Sequence, residues 1–294
     1  WACATLGREV PDELFERVCA RGAERAGDFT SQECSNTMWA CASAGRQVPD
    51  ELFVSMCARA AERIGDCCGR DVANFCWAVA TLGRKVPDEV FEAMHDWARG
   101  HVEDFNKQDI SNFCWACSVF ERVGEALDLL VALHDGSPGT FSGYLEELSS
   151  SGENQMHQFL LSCDLGLSIQ RMDSGKASVL HELKEMVGKR CLRAFKDTSL
   201  RSSKLQSEVA AAVRGIGVKA EEEALDDKSG YYLDLLVRRA GRNIAVEVDG
   251  PSHFLGDGRA IKGSTALKRR HLKLLGYTAV CVPYWEWDAL LGKA

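Results

Sequence analysis

Small and apolar residues recur at helical spacing along the first 119 positions, and the whole pattern repeats. Trp1, Trp39, Trp77 and Trp115 are each 38 residues apart, and small residues follow each of them. The first three stretches read WACATLGREVPDELF, WACASAGRQVPDELF and WAVATLGRKVPDEVF. A fixed period of about 20–50 residues is typical of helical repeat proteins. The pattern therefore predicts an α-solenoid of stacked units.

One unit is long enough for two helices. Helix A is predicted over about residues 35–44 and ends at Gly45, since glycine favours the position after a helix. Helix B is predicted to open at Val48-Pro49-Asp50-Glu51, because proline and acidic residues favour the first turn. In helix B, the residues at core spacing are Leu52, Phe53, Met56 and Cys57.

An asparagine lies three residues before each later tryptophan, at Asn36, Asn74 and Asn112. The tryptophans themselves lie among alanines on a face predicted to pack. We therefore expect Trp39 and Trp77 to be buried core residues rather than platforms for base stacking.

The regular units occupy residues 1–134, three clear units and a degenerate fourth that lacks the Val-Pro-Asp-Glu sequence. Residues 135–202 are predicted as an irregular helical region. It is expected to have loops at Ser137–Thr140 and Ser149–Gly152 and a helix over 175–196. Asn154 and His157 give a weak match to the Asn and Trp positions of a fifth unit.

Thirteen cysteines raise the question of a metal or disulfide framework. The pair Cys114 and Cys117 forms a C-x-x-C, but Met38 and Val79 occupy these positions in other units. Exchange with Met and Val indicates small core positions. Abundant free thiols then point to a reducing compartment.

Residues 203–294 follow a different pattern, which predicts the element order α-β-β-β-α-β of a small α/β domain. Two strands, 231–238 and 243–249, are predicted to form a hairpin joined by four residues. This register places Asp234 opposite Glu247, with Asp249 on the same face. The other face is predicted to hold Leu233, Leu235, Val237, Ile244, Val246 and Val248.

Three acids on one sheet face repel each other unless a positive group lies beside them. A divalent cation is one answer, because Mg²⁺ prefers oxygen ligands. A basic helix folding back over the sheet is the other, and it carries Lys268, Arg269 and Arg270. His253 is a candidate ligand or acid–base group.

Charge is unevenly distributed along the chain. The formal net charge is −8, which argues against non-specific coating of nucleic acid. Residues 201–294 alone are net basic, with 15 Lys and Arg against 12 Asp and Glu. The candidate RNA-contacting residues are therefore Lys262, Lys268, Arg269 and Arg270.

The 38-residue period and the N-x-x-W-A sequence resemble octotricopeptide repeats and the arrays of FAST-kinase-type mitochondrial proteins. The C-terminal part resembles the RAP domain, in the stretches IAVEVDGPSHF (244–254), GSTALKRR (263–270), Gly276-Tyr277 and VPYWEW (282–287). This domain is similar to the PD-(D/E)xK nuclease fold. That similarity matches Asp234 and Glu247 to the metal-binding carboxylates of such nucleases. Asp249 replaces the nuclease lysine, and Lys262 or Lys268 are candidates to substitute for it.

The resemblance implies an RNA-binding protein in organellar RNA processing, stability or maturation, with single-stranded RNA and ribonucleoprotein components as partners. Neither a membrane nor DNA is expected as a partner, and a mitochondrial matrix location is favoured over a plastid. The chain begins inside a repeat, so we expect it to be a fragment without its targeting peptide.

Two alternatives stay open. One is an endoribonuclease that uses Asp234, Glu247, Asp249 and His253, with the three acids holding Mg²⁺; RNA binding alone needs no cofactor. The other is a protein-interaction scaffold, since many helical repeats bind proteins.

Overall fold

A computed structural model describes residues 1–136, 138–166, 172–197, 203–256 and 258–292. Its first part is a series of helix pairs. The helices are α1 Ala2–Thr5, α2 Asp12–Glu24, α3 Ser31–Ser43, α4 Asp50–Glu62, α5 Gly69–Thr81, α6 Asp88–Gly100, α7 Lys107–Phe120 and α8 Val123–Gly136. The helices that carry the repeat tryptophans, α3, α5 and α7, pack side by side, and α2, α4, α6 and α8 form the second layer. The predicted helical array is confirmed.

The helix boundaries follow local chemistry. Thr30 begins α3, because its side chain accepts the Glu33 backbone N–H while Glu33 accepts the Thr30 N–H. Each second-layer helix from α2 to α6 begins directly after a proline. Gly45 and Gly83 end the first-layer helices with positive φ values of 65° and 60°.

One continuous core runs between the two layers of helices. Leu52, Phe53, Met56 and Cys57 are all buried in it, as their spacing predicts. The largest fully buried side chains include Phe75, Phe91, Phe105 and Phe113. Burying one such side chain contributes about 1.5–3 kcal/mol, so packing accounts for most of the stability of these short helices.

An arginine after each first-layer helix joins neighbouring units. Arg84 forms an ion pair with Asp50 of the preceding unit at 2.8 Å, and its guanidinium lies 4.1 Å from the Phe53 ring centroid. Arg46 and Arg122 make the equivalent contacts with Asp12 and Phe15, and with Asp88 and Phe91. The repeated Gly-Arg and Pro-Asp-Glu sequences are thus two halves of one contact between units.

The predicted burial of Trp39 and Trp77 is correct only in part, because both side chains are partly buried and Trp77 packs against the core. Trp115, at the same position in the next unit, is 5% exposed. The difference arises because a later helix covers Trp115, and Gln158 of that helix accepts a hydrogen bond from the indole N–H at 2.8 Å.

The middle of the chain is more helical than predicted. It contains α9 Pro138–Glu146, α10 Ser150–Asp164, α11 Ser174–Leu183 and α12 Lys189–Lys196, and a π-helical turn at Lys184–Gly188 makes the last two continuous. The loop predictions at 138–140 and 150–152 are therefore wrong, while Ser137 lies outside the described residues. Ser149 instead caps α10 by accepting the Gly152 N–H. The helix expected over 175–196 is present.

Helix α10 lies beside α7, but its matching residues are one position later than predicted. Gln155 donates to Asn112 at 2.9 Å and Gln158 accepts from Trp115. Asn154 and His157, the predicted matches, lie on other faces of the helix because each residue rotates the face by about 100°. His157 is hydrogen-bonded to the Ser229 carbonyl of the C-terminal domain at 2.7 Å.

The C-terminal domain has the predicted order of elements. They are α13 Lys204–Gly215, β1 Ala220–Leu225, β2 Tyr232–Arg239, β3 Arg242–Asp249, α14 Gly263–Leu274, β4 Thr278–Pro283 and α15 Tyr284–Leu290. The sheet order is β1-β2-β3-β4, with β3 and β4 parallel and the other pairs antiparallel.

The hairpin between β2 and β3 has the predicted register, with Leu235 opposite Val246. Its turn has two residues instead of four, because Ala240 and Gly241 both take positive φ and let the strands run further. Leu233 was predicted to lie on the face opposite the acids, and this is wrong. It packs with Tyr231 and Leu272 on the α14 side of the sheet.

Helix α14 joins the domain to the helical array. Its first residue, Gly263, approaches the end of α5 so closely that a Cβ there would lie 1.9 Å from the Ala80 carbonyl oxygen. The preceding loop adds a hydrogen bond from the Gly256 N–H to the Gly45 carbonyl at 2.7 Å. Among the described residues, no helix is long and apolar enough to cross a bilayer.

Candidate functional site

A cavity of about 220 Å³ opens where α10, the sheet and α14 meet. Because β3 ends here and α14 begins here, residues distant in the sequence converge on it. Its lining is polar, and both domains contribute. The lining residues are Gln158, Tyr231, Glu247, Asp249, His253, Ser264, Thr265, Lys268 and Arg269.

Glu247 is a buried acid of the cavity, with a side chain 5% exposed. Its Oε2 atom lies 2.5 Å from Lys268 Nζ, which also donates to the Tyr232 carbonyl. Burial raises the pKa of Glu247 to about 7, and the nearby negative charge of Asp234 adds to the effect, while Lys268 opposes it. The carboxyl therefore titrates near neutral pH.

Asp249 lies two residues further along β3 and behaves in the opposite way. It is hydrogen-bonded to His253 Nδ1 at 3.2 Å and to Arg269 Nη2 at 2.5 Å. Burial pushes the pKa of Asp249 upward, but the hydrogen bonds and charges of these two partners outweigh it, so the pKa is lowered. Asp249 thus stays ionised and orients both side chains.

Asp234 does not line the cavity. Its Oδ2 atom accepts the Val248 backbone N–H at 2.7 Å, just beyond the last registered pair of β2 and β3. The carboxylate therefore replaces a main-chain carbonyl in holding the two strands together.

The four residues predicted to contact RNA lie in three different places. Lys268 and Arg269 line the cavity. Arg270 points to α7 instead, where it donates to the Ser118 and Val119 carbonyls and pairs with Glu121. Lys262 lies against the Gly45 turn, with Nζ 3.7 Å from the position of a Cβ there.

The arrangement of the acids does not fit a bound divalent cation. Lys268 and Arg269 already meet Glu247 and Asp249, and Asp234 is taken by a backbone N–H. Among the described residues, no group of three or more His, Cys, Asp or Glu side chains is placed to hold a metal ion.

Sequence reasoning missed four cavity residues: Gln158, Tyr231, Ser264 and Thr265. Gln158 connects the two domains, because it accepts from Trp115 and donates to the Tyr231 hydroxyl at 3.0 Å. Tyr231 in turn is bonded to His271 at 3.0 Å, and His271 to Ser162 at 2.8 Å. Gln158 stands three residues after Gln155, a polar variant of the Asn-x-x-Trp spacing, which is the signal that the sequence offered.

The repeated asparagines and tryptophans form a row that leads to this cavity, here called the Asn–Trp strip. Asn112 donates to Asn74 at 3.5 Å and accepts from Gln155, so the amides of successive helices are connected. Trp115 reaches the cavity wall through Gln158. The strip consists of Asn36, Trp39, Asn74, Trp77, Asn112 and Trp115.

Residues 246–294 match the family model of the RAP domain. The match includes Glu247, Asp249, the following loop, α14, β4 and α15. The chain therefore carries a RAP domain at its C-terminal end, which confirms the resemblance seen in the sequence.

The relatives are organellar proteins by name. Over 68 residues the chain is 44% identical to human (Homo sapiens) and 37% identical to Mus musculus "FAST kinase domain-containing protein 3, mitochondrial". It is 33% identical over 92 residues to "RAP domain-containing protein, chloroplastic" of Oryza sativa subsp. japonica. The aligned stretches cover 23% and 31% of this chain, and 10% and 14% of the relatives. The chain therefore spans about a tenth of the length of the FAST kinase relatives that it matches.

Proposed function

We propose that this chain is an RNA-binding protein of a mitochondrion or plastid, with the mitochondrial matrix favoured, and that it acts in the processing, stability or maturation of organellar transcripts. Single-stranded RNA lies along the Asn–Trp strip and reaches the cavity of the RAP domain. The names of the relatives support the compartment, since they are mitochondrial or chloroplastic.

The observation that carries this proposal is the row of partly exposed side chains formed by Asn36, Trp39, Asn74 and Trp77. The row ends beside the cavity, where α10 covers Trp115. Single-stranded RNA is recognised by stacking of bases on aromatic rings and by hydrogen bonds to base edges. Trp39 and Trp77 are partly exposed, and Asn36 and Asn74 lie one helical turn from them with amides that can donate and accept. These groups recur every 38 residues, which suits a polymer with a repeating unit.

Crosslinking followed by sequencing of the bound RNA is the primary test, and enrichment of organellar transcripts is expected. In solution, the double variant Trp39→Ala/Trp77→Ala should bind single-stranded RNA at least roughly 30-fold more weakly, since each of the two stacked bases is worth about 1–3 kcal/mol. Val54→Ala, at a residue 63% exposed on α4, is the matched control and should bind normally. Equal affinities of all three proteins would contradict the proposal.

The basic residues give a second test. Lys268→Ala and Arg269→Ala should each reduce the salt dependence of RNA binding by about one ion, because each removes a positive charge from the lining of the cavity. Arg270→Ala should leave this slope unchanged, because its guanidinium is held by α7. Lys273→Ala, at the exposed end of α14, is the charge-matched control.

A metal-dependent endoribonuclease is the alternative, and the pKa of Glu247 near neutrality favours it, since shifted pKa values concentrate at active sites. A metal ion would have to displace Lys268 and Arg269 from the two acids. Cleavage of bound RNA that requires Mg²⁺ or Mn²⁺ and disappears in Asp234→Asn would establish it. Recovery of proteins but no RNA would establish the scaffold instead.

A further inference from the structure

The cavity contains buried polar atoms that the described residues leave without partners. Glu247 Oε1 has no hydrogen-bond partner, although the side chain is 5% exposed and lines the cavity. Arg269 lines it too, and its Nε atom is also unpartnered. Because buried polar groups are nearly always hydrogen-bonded, an open acceptor and an open donor on two residues that line one cavity favour a ligand that supplies both complements.

The charge of the lining restricts what that ligand can be. Glu247 and Asp249 are balanced by Lys268 and Arg269 at 2.5 Å each. The lining is thus balanced in charge, which favours an uncharged group with donor and acceptor edges inside the cavity. The exposed 23% of the Lys268 and Arg269 side chains stays open to backbone phosphates. The Tyr231 ring and the hydrogen-bonding side chains around it favour a planar polar ligand.

Size and position point to the same ligand. A volume of about 220 Å³ has room for about seven water molecules at roughly 30 Å³ each, which is comparable to one heterocyclic base. Gln158, in the cavity wall, is bonded to Trp115 at the end of the Asn–Trp strip. The cavity therefore lies beside the end of the strip, on the far side of the α10 residues that cover Trp115.

We infer that the cavity is a base-reading pocket, which receives one unstacked nucleobase of the strip-bound RNA, with the donor edge of the base at Glu247 and its acceptor at Arg269. This inference rests on the proposed function and deepens it. It implies that the RAP domain selects the base at one position of the RNA, while the strip holds its neighbours by stacking. Recognition of splayed-out bases by hydrogen bonds to their edges is the usual way in which proteins read single-stranded RNA.

An abasic scan of the RNA tests the inference on the full chain. The probe is a short single-stranded RNA that contains each base several times, with one base removed at a time. One position should show a loss of affinity of roughly 5- to 100-fold that depends on the cavity. In Ser264→Leu, whose larger side chain closes the cavity mouth, this position-specific loss should disappear. In Glu247→Gln, the preferred base at that position should change, because an amide also donates.

Lys273→Ala is the matched control on the same helix and should keep the position-specific loss. Thermal melting establishes that each variant is folded, and Glu247→Gln carries the test should Ser264→Leu fail to fold. An abasic profile and a base preference that are the same in the unmodified chain and in both cavity variants would overturn the pocket and leave RNA binding intact. No binding by the unmodified chain would overturn the proposed function as well.

Discussion

Two acids on the same face of β3 show how strongly the local environment decides the charge of a residue. Glu247 and Asp249 each meet one cation at 2.5 Å. Asp249 has His253 as a second partner, and its pKa is lowered. For Glu247, burial raises the pKa to about 7 against the attraction of Lys268, and the charge of Asp234 adds to the effect. A single ion pair is therefore too weak to offset deep burial of a carboxylate.

This pKa predicts how stability changes with pH. The folded protein holds the Glu247 proton up to about pH 7, whereas the unfolded chain releases it near 4.5. The stabilisation is therefore complete below about pH 4.5 and is lost as pH rises through 7. Relative to Glu247→Gln, the free energy of unfolding of the unmodified protein should fall by about 2–3 kcal/mol between pH 5 and 8. Urea unfolding of both proteins at each pH measures it, and a pH-independent difference would contradict the assignment.

The arginines between units lead to a second prediction. Arg84 is paired with Asp50, whose side chain is 82% exposed, so the ion pair itself contributes little. The contact with the Phe53 ring is worth more because it is shielded. Arg84→Ala should lower the free energy of unfolding by about 1–2 kcal/mol. Arg21→Ala removes an ion pair within one exposed helix and should cost less than about 0.5 kcal/mol. Equal effects in urea unfolding would show that Arg84 has no role between units.

At the scale of elements, the contact between α5 and α14 depends on a residue without a side chain. Gly263 lies against the Ala80 carbonyl, and helix α14 then extends across the end of α7. The lack of a Cβ allows the two backbones to approach, which in turn places Lys268 and Arg269 over the sheet.

Gly263→Ala should therefore separate α14 from α5. Its Cβ would lie 1.9 Å from a carbonyl oxygen, and overpacking of this kind costs about 1–3 kcal/mol. Gly124→Ala is the control, because a Cβ on this helical glycine meets nothing within 4 Å. It should be neutral or stabilise by up to about 1 kcal/mol. Thermal unfolding that ranks the two variants in the opposite order would disprove the close contact.

Periodicity allowed most of the elements to be predicted, and the reasons for the failures are physical. The register of the hairpin was predicted from the alternation along β2 and β3, and the predicted pairing of the strands is the one observed. The helices at 138–146 and 150–164 were missed because Pro138 and Gly152 favour loops locally, while packing and the Ser149 cap override them. The burial of Trp39 was overestimated because its neighbours in the sequence do not show whether a later helix covers this side chain.

The candidate site was predicted in part for a similar reason. Spacing brought Glu247 and Asp249 together, and of the two alternatives for balancing their charge the structure has the basic helix that folds back on them. Spacing along one chain could not show that Gln158 joins them from α10, since 89 positions separate it from Glu247 in the sequence. The opposite roles of Arg269 and Arg270 also depend on the direction in which α14 docks.

At the scale of the whole molecule, the contacts of α14 predict that the array and the RAP domain open as one unit. Arg270 is a main link, since it caps the carbonyl end of α7 and pairs with Glu121, a non-glycine residue with a φ of 64°. In hydrogen exchange, the amides of β2–β3 and of α5–α7 should show the same opening free energy.

Arg270→Gln should lower the opening free energy of β2–β3 more than that of α5–α7, because it weakens the hydrogen bonds and the ion pair that join the domain to the end of α7. Lys273→Ala, on the exposed side of the same helix, should leave both values unchanged. Independent opening of the two regions in the unmodified protein would show that the junction contributes little.

The turns that the RAP domain contacts divide the array into a fixed part and a part that is free to vary. The domain touches the turns after α3, α5 and α7, at Gly45, Gly83 and Glu121. Gain or loss of a unit among these three would separate the part of the cavity wall that α10 supplies from the part that the RAP domain supplies. Units could instead be added or removed on the Trp1 side without disturbing any of these contacts. Units added on that side, in evolution or by design, would thus lengthen the strip while leaving the cavity of the RAP domain unchanged.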